Sequence, residues 1–264
     1  MQVELLELGG NRVRFILKDV EAAFANAIRR ASLSEVPTLA IDEISIYDNT
    51  SVLFDEQIAL RLGLVPLAVD DIDAYSTPED CACGGAGCPG CRINIMLTAE
   101  GPRTVYSRDL QISDPGVKVV YEKIPIAVLG EGEKLMIEAY GTVRTGTVHA
   151  RWQAGTLCGY KNLPRIEIED CDGCGKCVKV CPRGILVLDE SGRVKVTDPV
   201  ECSLCKLCTD ECDIDAIKVS SLPDAFVMAI ECDGSLPVEE LVIRAADVIR
   251  ERAEELGRKL EELA

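Results

Sequence analysis

The chain has 264 residues, 47 % of them hydrophobic, and a formal net charge of −17 at pH 7. This apolar content is enough for a packed core, and the length predicts about two or three structural units. The acidic surface repels phosphate backbones, so we expect no direct binding of nucleic acid. No apolar run reaches the roughly 18 residues of a membrane span, and the N-terminus lacks a signal peptide, which predicts a cytoplasmic protein without membrane contact.

The N-terminal segment predicts a hairpin followed by a helix. Residues 3–6 and 13–17 are strand-like on either side of the Gly-Gly-Asn turn at 9–11. Asp19 is the expected cap of a helix whose apolar stripe covers residues 20–31.

The middle of the chain predicts alternating strands and helices. Residues 39–46 are strand-like, and residues 56–62 carry a helical pattern. Isoleucine and leucine alternate with polar residues over 93–97, which is typical of a half-buried strand. Further strand-like segments lie near residues 117–121, 135–140 and 148–152.

The C-terminal segment predicts a strand over 226–231 and a long helix that begins at Pro237. The apolar stripe of this helix comprises Val238, Leu241, Val242, Ala245, Val248, Ile249, Leu256, Leu260 and Leu263. Such a stripe fits either an ordinary surface helix or a dimerisation helix that lies against a partner. The stripe has no evident destination within the chain, but periodicity alone does not choose between the two interpretations.

The most specific pattern is a repeated cysteine motif. The spacing C-x2-C-x2-C-x3-C occurs twice, 31 residues apart, at Cys171, Cys174, Cys177 and Cys181 and at Cys202, Cys205, Cys208 and Cys212. This is the ligand pattern of a two-cluster bacterial ferredoxin, in which the fourth cysteine of each motif ligates the other cluster. Pro182 follows the first motif as in ferredoxins, whereas Asp213 stands where the proline is usually repeated.

The pattern therefore predicts two [4Fe-4S] clusters, one of which could be [3Fe-4S]. We define the first cysteine set as Cys171, Cys174, Cys177 and Cys212. The second cysteine set is Cys202, Cys205, Cys208 and Cys181. Each set is expected to bind one cluster.

Another cysteine cluster lies on a glycine-rich loop. It reads C-x-C-x4-C-x2-C and consists of Cys81, Cys83, Cys88 and Cys91. Four thiolates suit a closed tetrahedral zinc site, and glycine permits the tight backbone path that brings them together. No nearby histidine suggests a catalytic site, so we expect one structural Zn2+. Free thiols, a disulfide pair or a third Fe–S centre are the alternatives.

The remaining candidates give no sign of catalysis in this chain. Cys158 and Cys232 have no partners at metal-ligand spacing and are expected to act as small buried hydrophobic residues. His149 has no recognisable nucleophile or orienting acid, and the acidic run at 70–73 is expected to form a solvated face. Neither a Walker phosphate loop nor a Rossmann fingerprint is present in the sequence.

Five segments outside the repeated cysteine motif are informative: residues 24–30 (FANAIRR), 36–41 (VPTLAI), 48–52 (DNTSV), 55–67 (DEQIALRLGLVPL) and 105–110 (VYSRDL). Together they resemble the D family of archaeal RNA polymerase subunits, relatives of the amino-terminal domain of the bacterial alpha subunit. The match covers essentially the whole chain in order. Many archaeal members carry a ferredoxin-like insert, and the glycine-rich cysteine loop is similar to the zinc loop of archaeal and eukaryotic members.

The resemblance implies an α+β architecture in three parts. A dimerisation domain like that of the bacterial alpha subunit would be assembled from both chain ends, residues 1–42 and 221–264. An inserted αβ domain would occupy residues 43–164 and carry the zinc loop at 81–91. A ferredoxin-like two-cluster Fe–S domain would occupy residues 165–220.

The resemblance also implies a function. Members of the family pair with the small subunit L, and this heterodimer, joined by small subunits N and P, is the platform for the two large catalytic subunits. The chain would then be a non-catalytic assembly subunit whose Fe–S clusters are structural or regulate assembly, and the terminal helix would contact the partner. The alternative is a ferredoxin-like electron-transfer subunit of an oxidoreductase, which cluster ligation and acidic charge fit equally well.

Overall fold

Strands and helices alternate along residues 1–263, the part of the chain that the computed structural model describes. The strands are β1 (Gln2–Gly9), β2 (Arg12–Lys18), β3 (Thr38–Asn49), β4 (Leu67–Val69), β5 (Ile93–Glu100), β6 (Arg103–Tyr106), β7 (Gln111–Ile112), β8 (Val117–Val119), β9 (Pro125–Leu129), β10 (Lys134–Arg144), β11 (Gly155–Ile168), β12 (Leu186–Leu188), β13 (Val194–Val196) and β14 (Ile217–Cys232). The α-helices are α1 (Ala22–Ser34), α2 (Asp55–Gly63), α3 (Lys176–Val180), α4 (Leu207–Asp210) and α5 (Val238–Glu261). No helix within residues 1–263 has the length and apolar character needed to cross a membrane.

The predicted N-terminal hairpin is confirmed by β1 and β2, whereas the predicted helix cap is wrong. Asp19 has a left-handed backbone with φ of 58°, and α1 begins only at Ala22. The carbonyl of Glu21 instead accepts the hydrogen bonds from the Phe24 and Ala25 N–H groups. Asp19 therefore turns the chain out of β2 and does not cap the helix.

Residues fall into two compact units, each built from separate stretches of sequence. The first unit comprises Met1–Leu8, Arg14–Asn26 and Gly159–Ala229. The second comprises Gly9–Val13, Ala27–Cys158 and the residues from Ile230 onwards. The three-domain division described above stays a prediction.

The first unit contains most of a four-stranded sheet in the order β1-β2-β14-β11 and the small sheet of β12 and β13. The small apolar core beside these strands includes Ile185, Leu186, Val194, Ile217 and Val219, and three cysteines are buried in it. Because these apolar groups are few, the cysteines supply a large share of the core.

The cysteine repeat extends to the backbone of the first unit. Left-handed residues occur in pairs 31 positions apart, namely Gly173 with Leu204, Gly175 with Lys206 and Gly184 with Asp215, at φ between 53° and 77°. A left-handed residue other than glycine costs about 1–2 kcal/mol, so its occurrence at Leu204 and Lys206 indicates a conformation fixed by the surrounding structure. The repeat is thus one of conformation as well as of residue type.

The second unit is built on an antiparallel sheet in the order β3-β10-β5-β7. Every second residue of β5 is buried, which confirms the alternation seen in the sequence. Helix α2 packs Ile58 and Leu62 onto this core, and both side chains are fully buried. The helix predicted over 56–62 and the strands predicted over 39–46 and 135–140 are therefore confirmed.

The strand predicted over 148–152 is wrong. Residues Ala150–Trp152 form a 3-10 turn that is capped by His149, whose Nδ1 accepts a hydrogen bond from the Arg151 N–H at 3.1 Å. Trp152 is buried and donates its indole N–H to the carbonyl of Thr142 at 2.9 Å. These two hydrogen bonds favour a turn despite the strand-like composition.

Helix α5 uses only the first half of its apolar stripe within the chain. Val238, Leu241 and Ala245 are completely buried, whereas Leu256 and Leu260 are 60 % and 58 % exposed. Ion pairs fix the buried half, because Arg244 binds both carboxylate oxygens of Asp73 at 2.8 and 2.9 Å. The expectation that the whole stripe lacks an intrachain destination is therefore wrong for its first half.

This division of α5 predicts unequal effects of truncating its leucines. Leu241→Ala should lower the free energy of unfolding by about 2–5 kcal/mol because it leaves a cavity. Leu256→Ala should change it by less than about 0.5 kcal/mol in the isolated chain. Urea unfolding followed by the fluorescence of Trp152, the single tryptophan, measures both, and equal losses would contradict the division.

Candidate metal centres

The loop at 81–91 brings its four cysteine sulfurs together. Every Sγ atom of Cys81, Cys83, Cys88 and Cys91 lies within 4.8 Å of the others. Cys81 Sγ is 3.5 Å from the sulfurs of Cys83 and Cys88, Cys83 Sγ is 3.5 Å from Cys91, and the Cys88–Cys91 separation is 3.9 Å. The group could hold one metal ion.

Glycine and backbone hydrogen bonds shape this loop. Gly84, Gly85 and Gly87 have φ of +64°, +82° and +90°, values that L side chains rarely adopt. The Gly84 N–H donates to the Cys81 carbonyl at 2.8 Å, and the Cys91 N–H donates to the Cys88 carbonyl at 3.0 Å. The loop therefore turns back on itself twice within a few residues, which places all four sulfurs on its inner side.

The end of the loop is anchored to the second unit's sheet by Arg92. Its guanidinium lies 3.4 Å from the ring centroid of Tyr140 on β10 and pairs with Glu43 on β3 at 3.0 Å. This stacking and ion pairing fix the direction in which the chain leaves Cys91. The cysteine group is thus attached to the sheet at one end.

The sulfurs of the loop differ in protonation. The backbone N–H of Cys88 and neighbouring thiols lower the pKa of Cys83 to about 5, so this sulfur is a thiolate at neutral pH. Desolvation raises the pKa of Cys91 to about 12. A cation at the centre would offset the repulsion and allow all four sulfurs to be charged together.

The other eight cysteines of the two motifs line two separate hollows in the first unit. The first cysteine set lines a hollow whose apolar walls include Ile168, Val194 and Ile217. The second cysteine set lines a hollow whose walls include Ile166, Ile185 and Leu186. The hollows divide the cysteines into the same two sets as the sequence pattern, and cluster binding stays a prediction.

The repeat explains how each set is positioned. Helices α3 and α4 follow the left-handed residues Gly175 and Lys206 and carry the third cysteine of each motif. The N–H of Leu204 points to the sulfur of Cys202 at 3.4 Å, and the N–H of Ala216 points to that of Cys212 at 3.3 Å. Such N–H groups stabilise negatively charged sulfur.

Glycine is required at one position of the first motif. A Cβ at Gly173 would lie 2.2 Å from the carbonyl oxygen of Gly192, whereas the equivalent position in the second motif is Leu204. The two halves therefore share a backbone path but not the same surroundings.

The eight cysteines differ geometrically from the loop at 81–91. Within residues 1–263, the loop is the one group of three or more ligand atoms that all lie within 4.8 Å of one another. A polynuclear cluster stands between its ligands and so holds its sulfurs farther apart than a single ion does. The wider sets are compatible with clusters, and the tight group is compatible with one ion.

The remaining sequence candidates have structural surroundings. Cys232 is buried and its thiol lies 3.3 Å from the Leu236 carbonyl, and burial raises the pKa of Cys158 to about 11. In the acidic run, Asp71 caps a turn and Asp73 binds Arg244, which lowers the pKa of Asp73. No sequence pattern indicated Lys161, whose ammonium contacts the segment that carries Cys202.

The fold is that of an α+β protein whose cysteine loop could bind a metal ion, and the comparisons specify its family. The model of the RNA polymerase Rpb3/Rpb11 dimerisation domain matches residues 14–253. The chain belongs to this family.

Three relatives are similar over almost their full length, and each is named DNA-directed RNA polymerase subunit Rpo3. The relative from Methanosarcina mazei is 50 % identical over 100 % of this chain and 99 % of its own. That from Methanosarcina acetivorans is 49 % identical over the same shares. That from Archaeoglobus fulgidus is 39 % identical over 99 % of this chain and 98 % of its own.

The geometry of the 81–91 loop predicts that one metal ion depends on it. A Cys88→Ser, Cys91→Ser variant should lose one metal ion per chain, because two of its four ligands are gone. Elemental analysis of the purified protein measures this, with Cys158→Ser as a control outside the cluster. Unaltered metal content in the double variant would remove the assignment.

Proposed function

We propose that this chain is a non-catalytic assembly subunit of DNA-dependent RNA polymerase that pairs with the small subunit L. The carrying observation is the full-length similarity to relatives that are named as Rpo3 subunits. The heterodimer, with small subunits N and P, would form the platform for the large catalytic subunits. Both chain ends, residues 1–42 and 221–264, would form the dimerisation domain, in the cytoplasm.

The exposed half of α5 supports this pairing. Leu256 and Leu260 are 60 % and 58 % exposed on a helix that is otherwise highly charged, and Leu263, two residues beyond its end, is 84 % exposed. Leucines repeated along one helix face are costly in water and are typical of a helix that packs against a partner. The intrachain packing at Leu241 and Ala245 fixes the first half of the helix, and thereby the direction in which the exposed half extends towards the partner.

The described residues also support a non-catalytic role. Polymerase catalysis needs carboxylates that gather around magnesium. In the acidic run, Asp73 is paired with Arg244 and the side chain of Asp71 caps a turn. These contacts give the acidic run a structural role. The comparisons give no support to the oxidoreductase alternative.

We assign a structural Zn2+ to Cys81, Cys83, Cys88 and Cys91. Four sulfurs about 2.3 Å from zinc stand about 3.8 Å apart in a tetrahedron. Four of the six sulfur separations in the loop are 3.5–3.9 Å and fit this value, and all six are within 4.8 Å. With four protein ligands no open position remains, so the ion would organise the inserted αβ domain at 43–164 without catalysing a reaction.

We assign one [4Fe-4S] cluster to each of the first and second cysteine sets, one of which could be [3Fe-4S]. The ferredoxin-like domain would cover residues 165–220. Its apolar core is small, so metal binding would supply much of its folding free energy. The clusters would therefore stabilise this domain and link polymerase assembly to the supply of iron and to oxygen.

The cross-ligation predicts a specific result for Cys181→Ser. This variant should lose the cluster bound by Cys202, Cys205 and Cys208, and should retain the cluster bound by the neighbours of Cys181 in sequence. Iron content and electron paramagnetic resonance after anaerobic reconstitution measure the loss, with Cys158→Ser as the control. Loss of the other cluster instead would show that each motif binds its own cluster.

The proposed heterodimer places its interface at the C-terminal end of α5. A Leu256→Glu, Leu260→Glu variant should weaken pairing with subunit L at least about 100-fold, because two charges would be buried at the interface. It should leave the unfolding of the isolated chain nearly unchanged, since both side chains are exposed there. Size-exclusion chromatography with subunit L measures pairing, and an intact heterodimer would place the interface elsewhere.

Co-purification tests the assembly role as a whole. An affinity-tagged chain should recover subunit L and the large polymerase subunits from its own cells. Recovery of a redox enzyme without polymerase subunits would contradict the proposal.

A further inference from the structure

One half-buried ammonium group, that of Lys161, holds the segment that carries Cys202. Lys161 on β11 donates from Nζ to the carbonyls of Val200 at 2.6 Å and Cys202 at 2.7 Å. Desolvation lowers the pKa of Lys161, and two charge-assisted hydrogen bonds offset the cost of burying its charge. The lysine therefore fixes the backbone on both sides of Glu201.

A second basic side chain holds the same turn from another strand. Arg14 on β2 forms an ion pair with Glu201 and reaches Glu7 at 3.8 Å. This arginine lowers the pKa of Glu201, which keeps the carboxylate charged. Lys161 and Arg14 thus connect two strands of one sheet to the residues that precede and include Cys202.

The first cysteine set has no equivalent of this arrangement within the described residues. The position 31 residues after Lys161 is Gly192, which has no side chain that could reach the matching turn. The lysine that lines the first hollow is Lys176, and its ammonium forms an ion pair with the side chain of Asp213. The repeat is therefore broken at the point where the second set meets the sheet.

We propose that Lys161 is the positioning residue of the second cysteine set and that Lys161 and Arg14 couple occupancy of that set to strands β11 and β2. The first cysteine set is not coupled in this way. The inference rests on the cluster assignment of the proposed function. It specifies which of the two clusters is linked to the scaffold sheet by basic side chains.

The surrounding charges make the two sets electrically different as well. Arg183 and Lys206 line the second hollow, and the ammonium of Lys161 lies beside it. Asp172 lines the first hollow, whose Lys176 is neutralised by Asp213. Because reduction adds negative charge and positive neighbours favour the reduced form, a cluster held by the second set would be the more easily reduced of the two.

The experiment compares Lys161→Met with Lys161→Arg in the full chain after anaerobic reconstitution. Lys161→Met should release about half of the bound iron to a chelator about tenfold faster than wild type, since two charge-assisted hydrogen bonds to the ligand segment are lost. It should also lower the reduction potential of one cluster only. Lys161→Arg should restore both properties because it keeps the charge and the donors.

Hydrogen exchange tests the coupling to the sheet. In an otherwise wild-type chain, the backbone amides of β2 should lose protection when Cys205→Ser removes the cluster of the second set. They should keep their protection when Cys174→Ser alters the first set. Glu201→Gln, which weakens the ion pair to Arg14 but leaves Lys161 in place, should reduce this difference. Lys176→Met is the matched control. It should change neither the amide protection of β2 nor the rate at which the second set releases its iron.

Each outcome decides the question. Equal acceleration of all iron release, no acceleration, or equal loss of β2 protection from both cysteine variants would overturn the inference. If Lys161→Met fails to take up any iron while Lys161→Arg does, a site-specific role is contradicted, because the first set should still fill. Wild type that binds no iron would instead overturn the cluster assignment itself.

Discussion

Thiolates that lie close together repel one another, and this repulsion limits how the chain can fold around its cysteines. Twelve of the fourteen cysteines are gathered in three groups, in hollows and loops that have little other core. Such groups are stable when a cation lies between the sulfurs or when most of them stay protonated. In the loop at 81–91, the pKa of Cys83 is lowered and that of Cys91 is raised, so the two neighbouring sulfurs are not charged together.

The repulsion between thiolates also bears on how the cysteine groups are attached to the two units. The second unit's sheet has a large apolar core around Ile95, Leu135 and Ile137, so it does not need metal to hold its shape. Arg92 attaches the cysteine loop to this sheet through Tyr140. The core cluster around the two hollows of the first unit is smaller, and three buried cysteines are part of it. Metal would therefore have a local effect in the loop and a larger effect around the two hollows.

Helix α5 shows how one periodic pattern can serve two contacts. Leu241 contributes to the chain's own core, whereas Leu256 lies farther along the helix and remains exposed. The ion pair of Arg244 with Asp73 and that of Arg252 with Glu35 hold the helix between these regions. A net charge of −17 opposes self-association of the chain through this exposed apolar surface.

Much of the architecture follows from local sequence patterns. The Gly-Gly-Asn turn predicts the β1–β2 hairpin, period-two alternation predicts β5, and the amphipathic pattern predicts α2. The spacing of cysteines and glycines also predicts which thiols share a site, because two- and three-residue gaps leave the backbone few paths. Local patterns failed at Asp19 and at 148–152, where contacts with Glu21, Arg151 and Thr142 decide the conformation.

The sequence by itself determined the main helices and strands and the family, and it predicted the two cysteine sets, since these depend on residues close together in the chain or on motifs in order. Only the tertiary structure decided where α5 passes from buried to exposed and that Lys161 reaches Val200 and Cys202, about 40 residues away in sequence. Contacts of this kind leave no periodic pattern, because each depends on how separate strands and turns pack against one another. The asymmetry between the two cysteine sets is therefore a property of the fold and not of the repeated motif.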